Sequence, residues 1–228
     1  MLIDLHIHTS YGSGDSNLSI DELVIEASRI GLEGACLTEH NKTWVGSDLD
    51  LYKKENPRLF FVGAMEVETN MGHITVYGLK EHPPKIWDIL ELRKVSEESG
   101  AFMVSAHPFR KLFNSGKNDN LLFREQGLEP IIVETAAAHP VFQYVDAIEI
   151  NGSDTGQEKE FTMSVAQYLS KPAVGGSDVH SVNGLGACVT VFSQKITSEE
   201  SFLEALHEGC YYPAIGLREG NLRSISLA

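Results

Sequence analysis

The stretch Ile3-Asp4-Leu5-His6-Ile7-His8-Thr9 constrains this chain more than any other. Ile3, Leu5 and Ile7 alternate with Asp4, His6 and His8, the two-residue period of a β-strand. The period predicts the apolar set on one face and the aspartate with both histidines on the other. Two imidazoles two residues apart on one face can hold a single metal ion. Taken alone, the pair reads as well as two histidines hydrogen-bonded to their surroundings. What decides is whether the rest of the chain supplies further donors at matching places.

It does so repeatedly. A turn-rich loop at 10–16 carries Asp15. Ser19 and Glu22 then form a capping box opening a helix that Gly31 closes. A short apolar strand at 34–38 ends in Glu39-His40-Asn41. A third strand, 59–67, holds Glu66 inside an apolar run, where a carboxylate must be paired, protonated or bound to metal. The Asn70-Met71-Gly72 turn leads into a strand starting at His73, and a hairpin there places His73 near Glu66. A helix at 86–99 precedes a strand at 101–106, which His107-Pro108 terminates. A strand at 146–150, a helix at 158–169 and a strand at 172–176 follow. The last of these runs into Ser177-Asp178-Val179-His180, where Asp178 and His180 repeat the opening spacing. Strands at 187–192 and 210–215 flank a helix that Ser198 caps and that runs through Glu208. Strands alternating with helices predict an α/β fold, a parallel sheet with helices outside that forms a barrel or near-barrel, in one domain spanning residues 1–228.

The stretch 109–144 is the least regular and contains Arg110, Lys111, Lys117 and Arg124, a local basic cluster. It is longer than an ordinary connection, which predicts a lid insertion over a substrate site; the plain alternative is a solvated excursion. The basic cluster stands out because the chain has 18 Lys plus Arg against 32 Asp plus Glu, a formal charge of -14. Such a surface repels duplex nucleic acid, so stable binding to it is not expected. No apolar run is long enough for a bilayer, and the first residues read as a strand rather than an export signal. Cys36, Cys188 and Cys210 have no paired spacing, which predicts free thiols in a reducing cytoplasm.

In parallel α/β barrels, residues at the carboxyl ends of strands converge on one mouth. His6, His8, His40, Glu66, His107, Asp178 and His180 all fall at such ends. His73 starts the strand paired with that of Glu66, and Asp15 lies on the first loop of the same side. Nitrogen and oxygen donors without thiolate suit zinc, manganese or iron, and nine donors exceed what one ion takes, so two or three divalent ions are expected. His82 and His139, beside prolines, read as surface or loop histidines, and His207 as a helix-end partner of the dipole. Glu149 reads equally as a ligand or as a buried hydrogen-bond acceptor. Asp4, deeper on the same face as His6, is expected to orient an imidazole.

The motifs DLHIHTSYGSGDSNLS, LTEHN, GAMEVE, GHITVYG, SAHPFR and GGSDVH, in this order from residue 4 to about residue 180, resemble those of the PHP (polymerase and histidinol phosphatase) family of metal-dependent phosphoesterases. The resemblance implies a distorted seven-stranded (βα)7 TIM-like barrel around a trinuclear metal centre. One ion would take His6, His8, Glu66 and Asp178; a second would share Glu66 and take His73 and His107; a third would take Asp15, His40 and His180. Glu39 departs from the family, which usually has Asp there. The expected activity is hydrolysis of a phosphate ester of a small substrate (a nucleotide, a short oligonucleotide, or a sugar or amino-alcohol phosphate) by a metal-activated hydroxide, with Asp178 and His180 serving the reaction as well as the metals. Arg110 is the expected phosphate clamp, since a guanidinium matches phosphate geometry, and Lys111 on its flexible stem is expected to matter less. The rival readings are an amidohydrolase, which would want a strand-end lysine where Glu66 stands, and a metal-holding module without catalysis.

Overall fold

The computed structural model describes residues 1–44, 46–114, 119–124 and 131–225. In chain order the elements are β1 (Leu2–Ile7), α1 (Ile20–Ile30), β2 (Gly34–His40), α2 (Ser47–Glu55), β3 (Phe60–Thr69), β4 (Gly72–Tyr77), α3 (Ile89–Ser99), β5 (Phe102–Ser105), α4 (Val133–Ala137), β6 (Ala147–Asn151), α5 (Gly156–Tyr168), β7 (Ala173–Gly176), β8 (Cys188–Phe192), α6 (Glu199–Glu208), β9 (Tyr211–Ile215) and β10 (Arg223–Ser224). The strands form one sheet in the order β10-β9-β8-β1-β2-β3-β4-β5-β6-β7. It is an α/β fold, but the sheet is mixed and has ten strands among the described residues, not seven parallel ones.

The reasons lie in the connections. Only Asn70 and Met71 separate β3 from β4, and so short a link can join only antiparallel neighbours. A parallel return needs a crossover, which β1–β2, β2–β3, β5–β6 and β6–β7 have. Beyond β7 a single 3-10 turn at Val182–Gly184 leads to β8, which lies antiparallel to β1. The sheet nonetheless curls back on itself. The Asp178 N–H donates to the His6 carbonyl at 2.8 Å and the His8 N–H to the Val179 carbonyl at 3.0 Å, so the segment after β7 meets the end of β1.

The expected alternation along β1 fails at one point, and the failure shapes the site. Ile3 and Asp4 pair with Gly34 and Ala35, yet Ile7 pairs with Leu37, a slip of one residue between Asp4 and Ile7. A slip of this kind moves side chains to the opposite face. Ile3 and Leu5 pack with Tyr77, Phe102, Phe192 and Phe202, whereas Ile7 packs with Leu18, Leu23, Ala27 and Leu37. Asp4 therefore does not share the face of His6 and His8. The backbone groups freed by the slip all find partners, as buried polar groups must. Thr38 Oγ1 accepts from the Ile7 N–H at 3.0 Å and donates to the Ile7 carbonyl at 3.1 Å. The Tyr77 hydroxyl donates to the Leu5 carbonyl at 2.8 Å, and the His6 N–H reaches Asp4 Oδ1 at 3.2 Å.

Elsewhere the local signals hold with small shifts. The Ser19/Glu22 capping box opens α1, and Gly31, at φ 77°, closes it. The helix expected from residue 86 begins at Ile89, because the Asp88 side chain caps the Leu90 N–H and Ile86 is buried ahead of it. Helix α2 is largely polar and has no counterpart in the sequence pattern. Within 109–144, Phe109, Phe123, Val141 and Phe142 are buried in one cluster with Met65 and Ile148, so the described part of the stretch is anchored to the core. Lys117 lies outside the described residues. The three cysteines are free, Cys36 and Cys188 buried and Cys210 exposed. Among the described residues no helix is long and apolar enough to cross a membrane.

Removing the Thr38 hydroxyl while keeping its shape tests this account. Thr38→Val leaves the buried N–H and C=O of Ile7 without that partner, and the expected cost is roughly 1–3 kcal/mol in urea unfolding. Because the slip aims His6 and His8, metal uptake should fall with it; full stability with full uptake would refute the role given to Thr38.

Candidate metal centre

All nine sequence-predicted ligands meet at the end of the sheet where β1 and the segment after β7 join. Glu66, 1% exposed, is the hub. Its Oε1 lies 3.5 Å from His6 Nε2, 3.1 Å from His73 Nδ1 and 3.0 Å from His107 Nε2. Its Oε2 lies 3.3 Å from His8 Nε2 and 3.1 Å from His40 Nδ1. Strand pairing produces this: Glu66 sits in register with His40 across β2–β3, and His73 faces Glu68, one diagonal step away, across β3–β4.

Three groups of donors adjoin. His6, His8, Glu66 and Asp178 have ligand atoms within 4.8 Å of one another, as do Glu66, His73 and His107, and as do His8, His40 and His180. The first two match the expected sets. In the third, Asp15 Oδ2 lies 3.3 Å from His40 Nε2 and 3.2 Å from His180 Nε2, so it joins the two histidines from the solvent side. Imidazole nitrogens and carboxylate oxygens without a nearby thiolate fit divalent transition metals. His6 Nε2 and His8 Nε2 are only 3.0 Å apart, convergent on one point as ligands are.

The field of the site is consistent with a cation-binding role. Burial pushes the Glu66 carboxyl up, but His6 and the hydrogen bonds from His107 and His40 hold it well below the usual range. Burial likewise works against ionising Asp178, and His6, His8 and His107 hold it far below that range. Burial pulls the His6 imidazole down, yet Glu149, Asp178 and Glu66 keep it well above its ordinary value. The hydrogen bond to Glu66 lifts His40 to about 9.

The carboxylate that orients an imidazole is Glu149 rather than Asp4. Glu149 Oε1 accepts from His6 Nδ1 at 2.8 Å, and Oε2 accepts from the His107 N–H at 2.8 Å and from Asn151 Nδ2 at 3.1 Å. Asp4 serves backbone instead, accepting from the N–H groups of His6, Ser177 and Gly186. Its burial lifts it to about 6. The signal for Glu149 was present, a carboxylate inside an apolar strand just as for Glu66, but spacing does not say which acid faces which ring. Gly176 makes the contact possible: a Cβ there would lie 2.3 Å from Glu149 Oε1 and 2.6 Å from His6 Cβ. His8 is fixed through Ser13, whose hydroxyl lies 3.1 Å from His8 Nδ1 and donates to Glu39 Oε2 at 2.6 Å. Glu39 also accepts from the Thr9 N–H and Trp44 Nε1. A hydroxyl thus spans the distance between this longer acid and the ring.

Arg110 reaches the site but is not free in it. Nη1 donates to Asp178 Oδ2 at 2.5 Å, Nη2 to Asn151 Oδ1 at 2.9 Å, and Nε lies 3.5 Å from Asp154 Oδ1. Asn151 ends β6 and Asp154 falls in the loop after it, and neither carries a motif. A cavity of about 270 Å³ opens over the centre, lined by Asp15, His40, Glu66, His73, His107, Arg110, Lys111, Asp119, Asn120, Leu121, Asp178 and His180. His82 is exposed, His139 caps the turn at Pro140–Gln143, and the exposed His207 lies 3.3 Å from the Gly100 carbonyl, so none of these joins the centre.

Two outcomes are expected. Glu149→Gln weakens the hold on His6 and should lower metal affinity about 10- to 100-fold, read by metal content after dialysis against a graded chelator. Asp154 supplies a pH test. Burial raises its carboxyl from 3.8 to about 7, and Oδ2 has no hydrogen-bond partner among the described residues. The unfolded chain loses this proton near 3.8 and the folded chain near 7, so the group costs stability progressively across that window and fully above it. Asp154→Asn should therefore raise Tm relative to the parent at pH 8 and change it little at pH 4; a gain independent of pH would contradict the assignment.

Residues 4–81 match the family model described as PHP domain, and residues 157–210 match the one described as PHP-associated. A protein of Caldicellulosiruptor bescii named "Probable phosphatase" is 29% identical over 222 residues, covering 88% of each chain. A two-domain Bacteroides vulgatus protein containing a "predicted PHP-like metal-dependent phosphoesterase" superposes with a TM-score of 0.66 at 21% identity, over 93% of this chain and 64% of that one. A Chromobacterium violaceum protein described as an amidohydrolase with bound sulfate superposes with a TM-score of 0.56 at 17% identity, over 90% of this chain and 96% of that one. The family-model matches fall on the segments that carry His6, His8, Asp15, His40, Glu66 and His73, and over 4–81 and 157–210 the chain is similar to the PHP family.

Proposed function

We propose that this protein is a metal-dependent phosphoesterase that hydrolyses a phosphate ester of a small substrate. The observation that carries the reading is the position of Glu66, one buried carboxylate belonging to two of three adjoining donor groups and in contact with the third through His40. Two or three divalent ions, zinc, manganese or iron, would be held by His6, His8, Glu66 and Asp178, by Glu66, His73 and His107, and by Asp15, His40 and His180. Bound there, the metals would lower the pKa of water and neutralise charge on phosphoryl oxygens.

The chain's own residues do the rest. Glu149 and Ser13 hold the rings of His6 and His8 so that their Nε2 atoms converge. Arg110 fixes the outer oxygen of Asp178. We read β1–β7 as the distorted barrel, with β8–β10 extending its edge, and 109–144 as an insertion whose residues Arg110, Lys111 and Asp119–Leu121 roof part of the mouth. The cavity suits a small phosphate ester, the protein works as a single domain, and its free thiols fit a cytoplasmic setting.

The amidohydrolase reading draws on the Chromobacterium violaceum neighbour. Against it, the one lysine lining the cavity among the described residues, Lys111, lies on a loop and not at a strand end. A panel of phosphomonoesters, phosphodiesters and amides, assayed with added manganese, separates the two readings.

Purified active protein should contain more than one equivalent of transition metal, and chelation should abolish turnover. Asp178→Asn keeps the side chain's size and removes the ligand charge, so activity should fall far more than stability. Activity in protein holding less than one ion by elemental analysis would sink the multinuclear centre.

A further inference from the structure

We infer that Lys111, rather than Arg110, is the side chain that captures the substrate's phosphoryl oxygens at the mouth, and that Arg110 is a positioning residue for Asp178. The inference deepens the phosphoesterase reading and rests on it.

Arg110 is already committed. Each nitrogen of its guanidinium has an acceptor, in Asp178, Asn151 and Asp154, and its charge is matched by the Asp178 carboxylate. The Asp154 side chain is fully buried and that of Asp178 is nearly so. An arginine held this way cannot turn to a phosphate without abandoning a buried carboxylate, which is costly. Its planar fork instead sets the direction of Asp178, whose other oxygen faces His6 and His8 at 3.4 and 3.1 Å.

Lys111 differs in each respect. It lines the same cavity, is exposed, and its ammonium has no hydrogen-bond or ion-pair partner among the described residues. Its backbone is left-handed, with φ at 62°, a conformation unfavourable for a lysine unless its surroundings impose it. They do impose it. The turn is closed by Leu112 N–H to the Phe109 carbonyl at 3.1 Å and Asn114 N–H to the Lys111 carbonyl at 3.3 Å. The buried Asn120 side chain donates to the carbonyls of Pro108 and Arg110 at 2.8 and 2.9 Å, tying the turn to the opposite rim. The left-handed step lets two consecutive residues, Arg110 and Lys111, line one cavity.

The charge balance of the mouth requires such a group. Asp15, Glu66, Asp119 and Asp178 line the cavity, and its only lysine or arginine besides the neutralised Arg110, among the described residues, is Lys111. A phosphate monoester dianion entering a chain of charge -14 needs an uncommitted cation near the metals. A flexible ammonium meets phosphoryl oxygens as a point charge without demanding one orientation.

The test uses the full chain reconstituted with manganese, inorganic phosphate as the probe in titration calorimetry, and p-nitrophenyl phosphate turnover. Lys111→Ala should weaken phosphate binding and raise KM by about 10-fold, with metal content unchanged. Lys111→Arg should recover most of the affinity. Lys111→Gly, which frees the left-handed backbone, should keep or raise Tm yet bind phosphate as poorly as Lys111→Ala, a pattern a purely structural lysine would not give. Arg110→Ala should lower metal content and kcat together, because Asp178 loses its hold. Parent-like phosphate binding by Lys111→Ala, or loss of phosphate binding by Arg110→Ala at full metal content, would overturn the inference while leaving the phosphoesterase reading intact. A metal-loaded parent that neither binds phosphate nor cleaves any phosphate ester would overturn both.

Discussion

The structure is organised around the burial of one carboxylate. Glu66 sits in an apolar strand with almost no solvent contact, and five imidazoles surround its two oxygens. A buried carboxylate without partners is costly enough to be neutralised or excluded. This one is held ionised because the chain delivers imidazoles from β1 and the residue just past its end, from β2 and β4, and from the loop after β5. The same arrangement, with imidazoles neutral and cations between them, is a metal centre. The need to satisfy Glu66 and the ability to bind metal are one property seen from two sides.

Bringing those groups together demands departures from regular structure, and the departures cluster at the mouth. β1 slips by one residue so that His6 and His8 both turn inward, and Thr38 and Tyr77 repair the hydrogen bonds the slip leaves open. Gly176 leaves room for Glu149 to reach His6. Asn41, His107, Lys111 and Asp178 are four of the six non-glycine residues with positive φ among the described residues, and all adjoin the centre. Strained backbone of this kind persists where surrounding contacts over-determine it. Here the contacts are the ligand network itself and the Asn120 side chain.

Charge is partitioned with comparable economy. The acids at the middle of the histidine cluster, Glu66 and Asp178, are backed by groups that fix their direction, and the acid that orients His6, Glu149, also takes the His107 N–H. Arg110 is consumed in that backing. Substrate recognition in so acidic a chain then falls to whatever cation is left uncommitted at the rim.

The sequence by itself determined which residue types gather. His-x-His, Glu-His, His-Pro and Asp-x-His each mark a strand end, and the two-residue period was enough to place them there, whereas Glu66 stands inside a strand that runs on to Thr69. It also determined the capped ends of α1 and α6, because those signals are local. Tertiary structure alone decided what spacing cannot encode. Alternation put Asp4 beside His6, but a one-residue slip, set by pairing with β2, removed it and left Glu149 from a strand far along the chain to hold the ring. The arginine chosen for its affinity for phosphate found Asp178, Asn151 and Asp154 first. Parallel strands gave way to a mixed sheet at β3–β4, where the link was too short to cross over, and also at β4–β5 and β8–β9, whose links carry a helix. Local sequence fixes periods and ends, whereas partners are chosen by register and by which buried charge must be satisfied, and those are settled only when distant strands meet.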